Sequence, residues 1–188
     1  MNEISLHILD IAENAARSGA ATTAIRLDER PGELTVTIAD DGCGMDAATL
    51  ARACDPFFST RRGGERTVGM GLPLFRLCAE MTGGGMTVRS RAGGGTTVTA
   101  VFHTDHIDCP PLGSIGDTLL ALTAMHPQMR YILCHRRQNA APVAIDTRQP
   151  GPAECPADGC TRRELLRAAL AAHGGSGYGT SQGKEEKI

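Results

Sequence analysis

Aromatic residues are scarce in this chain of 188 residues: they make up 3% of it, and tryptophan is absent. Proteins that bind single-stranded nucleic acid without sequence preference stack the bases on aromatic side chains, so this composition argues against such a surface. The formal net charge of -2 likewise provides no basic footprint for DNA or RNA. We therefore expect no nucleic acid among the partners of the protein.

Long apolar segments are also missing. The sequence contains no run of the roughly 20 apolar residues that a transmembrane helix needs. The segment that follows Met1 lacks the charged and then apolar pattern of a signal peptide. We therefore expect no membrane contact and a cytoplasmic location.

The seven cysteines contain no C-x-x-C pair, so the sequence does not indicate a zinc site. In a reducing compartment most of them should be free thiols. Cys155 and Cys160 flank the sequence PADG, which is a weak metal signal. A loop with two incidental thiols is the simpler interpretation.

Apolar residues make up 41% of the chain, and their spacing predicts helices and strands. In the first region, residues 1–104, the predicted order is helix, two strands, short helix, loop, helix and two strands. The predicted elements span 5–17, 23–28, 33–39, 46–53, 72–81, 86–91 and 96–103. This order predicts an α+β fold, a two-layer sandwich with helices on one face of a mixed β-sheet.

A second region follows the linker-like sequence HTDHIDCPPLG. It predicts a helix at 114–125, strands at 131–135 and 143–146, and a helix at 161–172. Residues 105–173 could form a small α+β C-terminal domain of unknown role that binds a partner, or a structural extension of the same sheet. The Gly/Ser-rich and then charged segment 174–188 predicts a disordered tail.

A carboxylate and an amide share one face of the first predicted helix. Asp10 and Asn14 are four residues apart, so they lie side by side on the helix and could hold a water and a cation. Magnesium prefers hard oxygen ligands and combines few protein groups with waters and substrate phosphates. Taken alone, the pair is better explained as a solvated helix face.

Three further segments are rich in glycine. The sequence IADDGCGM, residues 38–45, ends a predicted strand. Gly69 and Gly71 precede a predicted helix, where backbone N–H groups and the helix dipole could face a phosphate. The sequence GGGTT, residues 93–97, enters a strand. A tight turn explains each of these segments equally well when it is considered alone.

In this order and spacing, the segments together resemble the GHKL ATPase superfamily, which groups DNA gyrase B subunits, heat-shock chaperones, sensor histidine kinases and MutL. The sequence HILDIAENAARSGA is similar to the N-box of the family, and DDGCGM to its D-x-G-x-G box. DPFFSTR resembles the F-box of sensor kinases, VGMGLPL the G-x-G-L box, and GGGTTVTAVF the closing glycine box and final strand. The resemblance covers about the first hundred residues and implies a Bergerat fold that binds ATP with Mg²⁺.

The resemblance implies a base-binding group. Asp40 would accept from the exocyclic amine of adenine, directly and through water, and Gly42 and Gly44 would let the chain pass close to the base. Thr97, in the last box, would support the water network around the base, and Met45 would line the same site.

The resemblance also implies a phosphate-binding group. Asn14 would ligate Mg²⁺, and Gly69 and Gly71 would let the lid hinge and approach the phosphates. Thr60 and Arg61 lie where the lid could reach the terminal phosphate. The neighbouring residues assigned to the nucleotide site are Met70 and Leu72.

One carboxylate departs from the pattern of the hydrolytic members of the superfamily. They place a Glu four residues before the N-box Asn as general base, whereas this chain has Asp10. An aspartate can act as a base, but its side chain is shorter by one methylene, or about 1.5 Å. Glu13 is an alternative carboxylate, as in many sensor kinases. We name Asp10 and Arg61 as the catalytic candidates.

The first box begins close to the first residue of this sequence. Sensor kinases carry a phospho-acceptor helical hairpin before the N-box, and we expect none in this chain. Phosphoryl transfer is therefore expected to act on a partner protein in trans, as in anti-sigma kinases. Two alternatives stay open: a nucleotide-dependent binding module without turnover, and a slow ATPase that uses Asp10 as base. The implied ligands are ATP and Mg²⁺, with an unidentified protein as partner or phospho-acceptor.

Overall fold

A computed structural model of the chain describes residues 3–55, 71–140 and 143–148. All elements predicted within these ranges are present, and their ends differ by no more than two residues from the prediction. The predicted helix at 161–172 and the predicted tail lie outside the described residues. In chain order the elements are α1 (Ile4–Arg17), β1 (Thr22–Arg30), β2 (Glu33–Asp40), α2 (Ala47–Arg52), α3 (Gly71–Met81), β3 (Gly85–Ser90), β4 (Thr96–His103), α4 (Ile115–Met125), β5 (Arg130–Arg136) and β6 (Val143–Asp146).

The six strands of the described residues form one mixed sheet in the order β3-β4-β2-β1-β5-β6. β1 and β5 are parallel, and the other neighbouring strands are antiparallel. Along β2 the apolar residues Leu34, Val36 and Ile38 are buried, while Thr35 and Thr37 between them are half-buried. This alternation follows from the two-residue period of a strand, and it gives the sheet one apolar face.

The helices cover that apolar face. In α1 the apolar residues recur at helical spacing, so that Ile8, Ile11 and Ala15 share one buried stripe. Phe75 of α3 and Leu122 of α4 are 0% exposed in the same core. Full burial of an aliphatic or aromatic side chain of this size contributes about 1.5–3 kcal/mol. The predicted α+β sandwich, with helices on one face of a mixed sheet, is confirmed.

The strands that follow α4, β5 and β6, continue the same sheet. β5 pairs with β1 over Thr22–Asp28, and α4 packs on α1. The segment between β4 and α4 also supports α1, because the carbonyl groups of Pro111 and Leu112 accept from the N–H groups of Ile4 and Ser5 at 3.0 and 2.8 Å. The first N–H groups of a helix lack partners within it, and here the linker supplies them.

These contacts favour a structural extension of the sheet over a separate small domain for the described part of residues 105–148. The boundary at residue 104 and the extent to residue 173 stay predictions. Each helix in the described ranges is too short or too polar to cross a membrane.

Candidate functional site

Three chain segments meet at one end of the sheet. Since β2 is antiparallel to both of its neighbours, the end of β2 lies beside the start of β1 and the start of β4. Asp40 is thereby opposite Thr23 on one side and opposite Thr96 on the other. The C-terminal end of α1 joins them, because Cys43 N–H donates to the Ser18 carbonyl at 3.0 Å.

Asp40 is half-buried at the centre of this junction. Its Oδ1 accepts from the Gly42 backbone N–H at 2.9 Å, which fixes the orientation of the carboxylate. Burial raises the pKa of Asp40, while the backbone N–H groups of Gly42 and Thr96 act in the opposite direction. A carboxylate has about four acceptor positions, so this group retains capacity for a ligand amine.

Gly42 and Gly44 are required by close packing within the protein itself. A methyl group at Gly42 would overlap the Ser18 hydroxyl and reach Asp40 Oδ1 at 3.0 Å. Gly44 has a φ of 62° and its α-carbon faces the backbone carbonyl of Arg91. A side chain there would be strained by both conformation and space. The approach of these glycines to a base, expected from the sequence, stays a prediction.

The two residues between Asp40 and Gly44 that are not glycine have structural positions. Asp41 is exposed, and its Oδ1 accepts from the N–H groups of Ala21 and Thr22, each at 2.8 Å. The hydrogen bond from the Thr22 N–H is the main reason that the pKa of Asp41 is lowered. Cys43 is exposed, and its carbonyl accepts from Gly93 N–H at 2.7 Å. Asp41 thus connects the loop that follows β2 to the start of β1 by hydrogen bonds. Cys43 connects the same loop to the β3–β4 hairpin.

Ser90 connects the loop after β2 to the β3–β4 hairpin, and no sequence motif identifies it. Its hydroxyl donates to the Gly95 carbonyl at 2.8 Å and accepts from Met45 N–H at 2.8 Å. A hydroxyl has one donor and two lone pairs, so the contact of 2.9 Å with Thr96 Oγ1 is one in which Thr96 donates. The oxygen of Thr96 is therefore left as an acceptor beside Asp40.

The register places Thr96, not Thr97, on the face of Asp40. Thr97 is opposite Ala39, and successive side chains of a strand point to opposite faces. Thr97 therefore lies on the face of the sheet away from the helices, and Thr96 is the threonine beside Asp40. The role of Thr97 in a water network around the base stays a prediction. Counting back two residues from the apolar Val98, which is buried, was the signal that could have identified Thr96.

The face of α1 that carries Asp10 and Asn14 lies against the start of α3. A methyl group at Gly71 would stand 3.4 Å from Asp10 Cβ and 3.5 Å from Asn14 Nδ2, so the glycine allows the two helices to approach. Glu13 instead accepts from Arg17 on the outer surface of α1, at 2.6 Å. Of the two candidate carboxylates, Asp10 is the one on the side of Gly71.

The remaining predicted site residues divide into two groups. Leu72 is half-buried and packs against the core from the first turn of α3. Thr60, Arg61, Gly69 and Met70 lie outside the described residues.

The side-chain oxygen atoms on α1 suit a nucleotide that carries Mg²⁺. Asp10 and Asn14 provide hard oxygen atoms, which suit a cation that keeps waters and binds substrate phosphates. Among residues 3–55, 71–140 and 143–148, no cluster of three or more His, Cys, Asp or Glu side chains could hold a metal by itself.

Comparison with known proteins points to one family. The model of the histidine kinase-, DNA gyrase B-, and HSP90-like ATPases matches residues 2–106. The C4-dicarboxylate transport sensor protein DctS of Rhodobacter capsulatus is 37% identical over 93 residues, 50% of this chain and 12% of that protein. The sensor protein kinase FleS of Pseudomonas aeruginosa is 34% identical over 112 residues, 58% of this chain and 27% of that protein. The signal transduction histidine-protein kinase AtoS of Escherichia coli is 31% identical over 98 residues, 50% of this chain and 16% of that protein.

These matches cover only part of the relatives, because the chain spans 12% to 27% of their length. The crystal structure of the N-terminal domain of a DNA repair protein is similar with a TM-score of 0.53 and 12% identity. That similarity covers 77% of this chain and 52% of the other. At this identity it supports the fold alone.

Proposed function

Because the chain belongs to the family of histidine kinase-, DNA gyrase B-, and HSP90-like ATPases, we propose that it binds ATP with Mg²⁺ in order to phosphorylate or regulate a partner protein. The observation that carries this proposal is the half-buried Asp40, oriented by Gly42 at the junction of three strands. A fixed carboxylate acceptor of this kind suits recognition of an amine on a planar base.

The spacing along α1 supports a single site for base and phosphates. Ser18 contacts the glycine loop beside Asp40, whereas Asn14 and Asp10 lie against Gly71. Asn14 precedes Ser18 by four residues, which is about 6 Å along a helix with a rise of 1.5 Å per residue. A base beside Asp40 would therefore leave its phosphates extending along α1 toward Asn14.

In this proposal each residue has one role. Asp40 accepts from the adenine amine, Thr96 offers its oxygen to the same edge, and Asn14 holds Mg²⁺. Bound Mg²⁺ would neutralise charge that develops on the transferred phosphoryl group. Thr60 and Arg61 would reach the terminal phosphate from the lid, where Arg61 would contribute a positive charge, as the sequence predicts.

Two alternatives from other functional classes are distinguished by what happens to the phosphate. A nucleotide-dependent binding module would bind ATP and change its affinity for a partner without turnover. A slow ATPase would use Asp10 as base, and the position of Asp10 beside Gly71, with Glu13 paired to Arg17, favours Asp10 over Glu13 in that role. The cytoplasmic location and the identity of the partner stay predictions.

ATP labelled at the terminal phosphate separates these functions. The protein is incubated with Mg²⁺, labelled ATP and candidate partners. Label on a partner supports phosphoryl transfer. Free phosphate that disappears in Asp10→Asn but persists in Glu13→Gln supports hydrolysis. Tight ATP binding with neither product supports the binding module.

Binding itself is tested by calorimetry with and without Mg²⁺. We expect Asp40→Asn to weaken ATP binding, because the amide can present its N–H₂ group to the adenine amine. Asp41→Asn is the matched control, since its remaining oxygen can still accept from Ala21 and Thr22. We expect Asn14→Ala to remove the dependence on Mg²⁺. ATP binding by Asp40→Asn at wild-type strength would show that the base assignment is wrong.

A further inference from the structure

Within the part of the chain that the structure describes, a buried hydroxyl group in β1 has no hydrogen-bond partner. The side chain of Thr23 is 0% exposed, and its Oγ1 is unpaired among the described residues. Buried polar atoms in folded proteins are nearly always paired, and leaving one unpaired is unfavourable because the group has lost its hydration. The Thr23 hydroxyl is therefore a buried hydrogen-bond donor that is not used among the described residues.

The neighbour of Thr23 across β2 is Asp40. The Asp41 N–H donates to the Thr22 carbonyl at 3.3 Å, so Thr22 and Asp41 form a hydrogen-bonded pair of the antiparallel ladder. The next pair, Thr23 and Asp40, is then a non-hydrogen-bonded pair, in which side chains come closer together. Cross-strand side chains of this kind have β-carbons about 4.5–5.5 Å apart, within reach of a hydroxyl–carboxylate hydrogen bond.

On its other side, Thr23 is beside Tyr131 of β5. The hydroxyl of Tyr131 contacts the sulfur of Met129 at 3.4 Å. Met129 directly precedes β5, so this contact lies at the start of that strand. On β2, the side chain paired with Thr23 on the core face is Asp40.

We propose that Thr23 is a positioning residue of the nucleotide site, whose hydroxyl donates to the Asp40 carboxylate when an adenine nucleotide is bound. This inference rests on the function proposed above. Gly42 N–H already holds Asp40 Oδ1, and a donor from the β1 side fixes the carboxylate at a second point. Its remaining lone pairs are then directed at the ligand amine.

Nucleotide binding gives a physical reason for the Thr23 hydroxyl to form a hydrogen bond with Asp40. Without ligand, water can hydrate the half-buried Asp40 carboxylate. A base that fills the junction excludes this water, and hydrogen bonds become stronger in an environment of low dielectric constant. The proposal requires the Thr23 hydroxyl to turn toward Asp40 by rotation about the Cα–Cβ bond, between staggered rotamers.

Two substitutions separate the hydroxyl from the methyl group of Thr23. Thr23→Val keeps the shape and removes the hydroxyl, and Thr23→Ser keeps the hydroxyl and removes the methyl. ATP binding is measured by calorimetry, and thermal melting is measured without nucleotide. Thr99→Val, on the opposite face of the sheet where Thr99 faces Thr37, is the control.

Thr23→Val is expected to weaken ATP binding about 10-fold, the size expected for a hydrogen bond to a charged group. Its melting temperature without nucleotide should stay the same or rise, because an unpaired buried hydroxyl has been removed. Thr23→Ser should bind ATP within about three-fold of wild type and melt at a lower temperature. Only a hydroxyl used with the ligand lowers affinity without lowering the stability of the free protein.

Three results would overturn the inference while leaving the proposed function intact: wild-type ATP affinity in Thr23→Val, a clearly lower melting temperature of that variant without nucleotide, or an equal loss of affinity in Thr23→Ser. Absence of ATP binding by the wild-type protein would overturn the proposed function and this inference together.

Discussion

Asp40 and Thr96 lie directly opposite each other where β2 ends and β4 begins. Thr96 donates its hydroxyl proton to Ser90, which in turn donates to the Gly95 carbonyl. The oxygen of Thr96 and the carboxylate of Asp40 are therefore two acceptors on the same face. These two acceptors, rather than the glycines alone, make the junction suited to a group that donates hydrogen bonds.

Thr96 and Thr97 provide a matched comparison for ATP binding. We expect Thr96→Val to weaken binding by about 1 kcal/mol or more, the typical value of one hydrogen bond, because the variant loses the acceptor beside Asp40. Thr97→Val changes the opposite face of the sheet and should bind ATP as wild type does. Calorimetric titration of both variants checks this. Stronger weakening in Thr97→Val than in Thr96→Val would contradict the register argument.

Alanine substitutions at Gly44 and Gly93 distinguish the cost of close packing from the cost of the left-handed backbone conformation. Gly44 has a φ of 62° and no space for a side chain, whereas Gly93 has a φ of 72° with nothing within 4 Å of an added methyl. Gly93→Ala should cost about 1–2 kcal/mol for the left-handed conformation alone. Gly44→Ala should cost more than about 2 kcal/mol, since the backbone of Arg91 must also move. Urea unfolding measures both, and equal losses would argue against close packing at Gly44.

The two adjacent carboxylates should respond to acid in opposite ways. Burial raises the pKa of Asp40, so its charge is disfavoured in the folded state and that cost is relieved as the pH falls through the raised pKa. ATP binding needs the charged acceptor and should be lost over the same range. The hydrogen bond from Thr22 lowers the pKa of Asp41, so its stabilising effect persists to lower pH and is lost only as the pH falls through that lowered pKa.

ATP titrations and urea unfolding between about pH 7 and pH 4, across the range in which carboxyl groups begin to protonate, check this order. We expect ATP affinity to fall before the contribution of Asp41 to the free energy of unfolding does. Asp40→Asn should lose less affinity than wild type in this range, because its remaining pH dependence comes from the phosphates of ATP and from other groups. A fall in affinity of the same size in that variant would assign the titration to another group.

Leu122 tests whether α4 is part of the same folding unit as the candidate site. Its side chain is 0% exposed in the shared core, so Leu122→Ala should destabilise the protein by about 2–5 kcal/mol. The unfolding transition should remain single, with loss of ATP binding at the same urea concentration. Leu77→Ala, at a position that is 52% exposed, should change stability by less than about 0.5 kcal/mol. Two separate transitions would support an independent C-terminal domain.

The elements of the first region were predictable because each has a strong local signal. Leu34, Val36 and Ile38 alternate with threonines, and α1 carries an apolar stripe. The resemblance predicts Thr97 for the base network because it aligns a box of letters, whereas side-chain direction depends on strand register, which places Thr96 on the face of Asp40. Ser90 was not found at all, since a single serine at a strand end has no local signature until the hairpin and the loop are brought together.

The sequence by itself determined the helices, the strands, the family resemblance and the roles of Asp40 and Asn14 as candidates, because these depend on spacing over a few residues. Only the tertiary structure decided that β5 and β6 extend the same sheet and that Thr96, not Thr97, lies beside Asp40. It also decided that the Thr23 hydroxyl, across from that carboxylate, has no partner among the described residues. The physical reason is the same in each case. Strand pairing brings together residues far apart in the chain, and its register alone decides which side chains share a face.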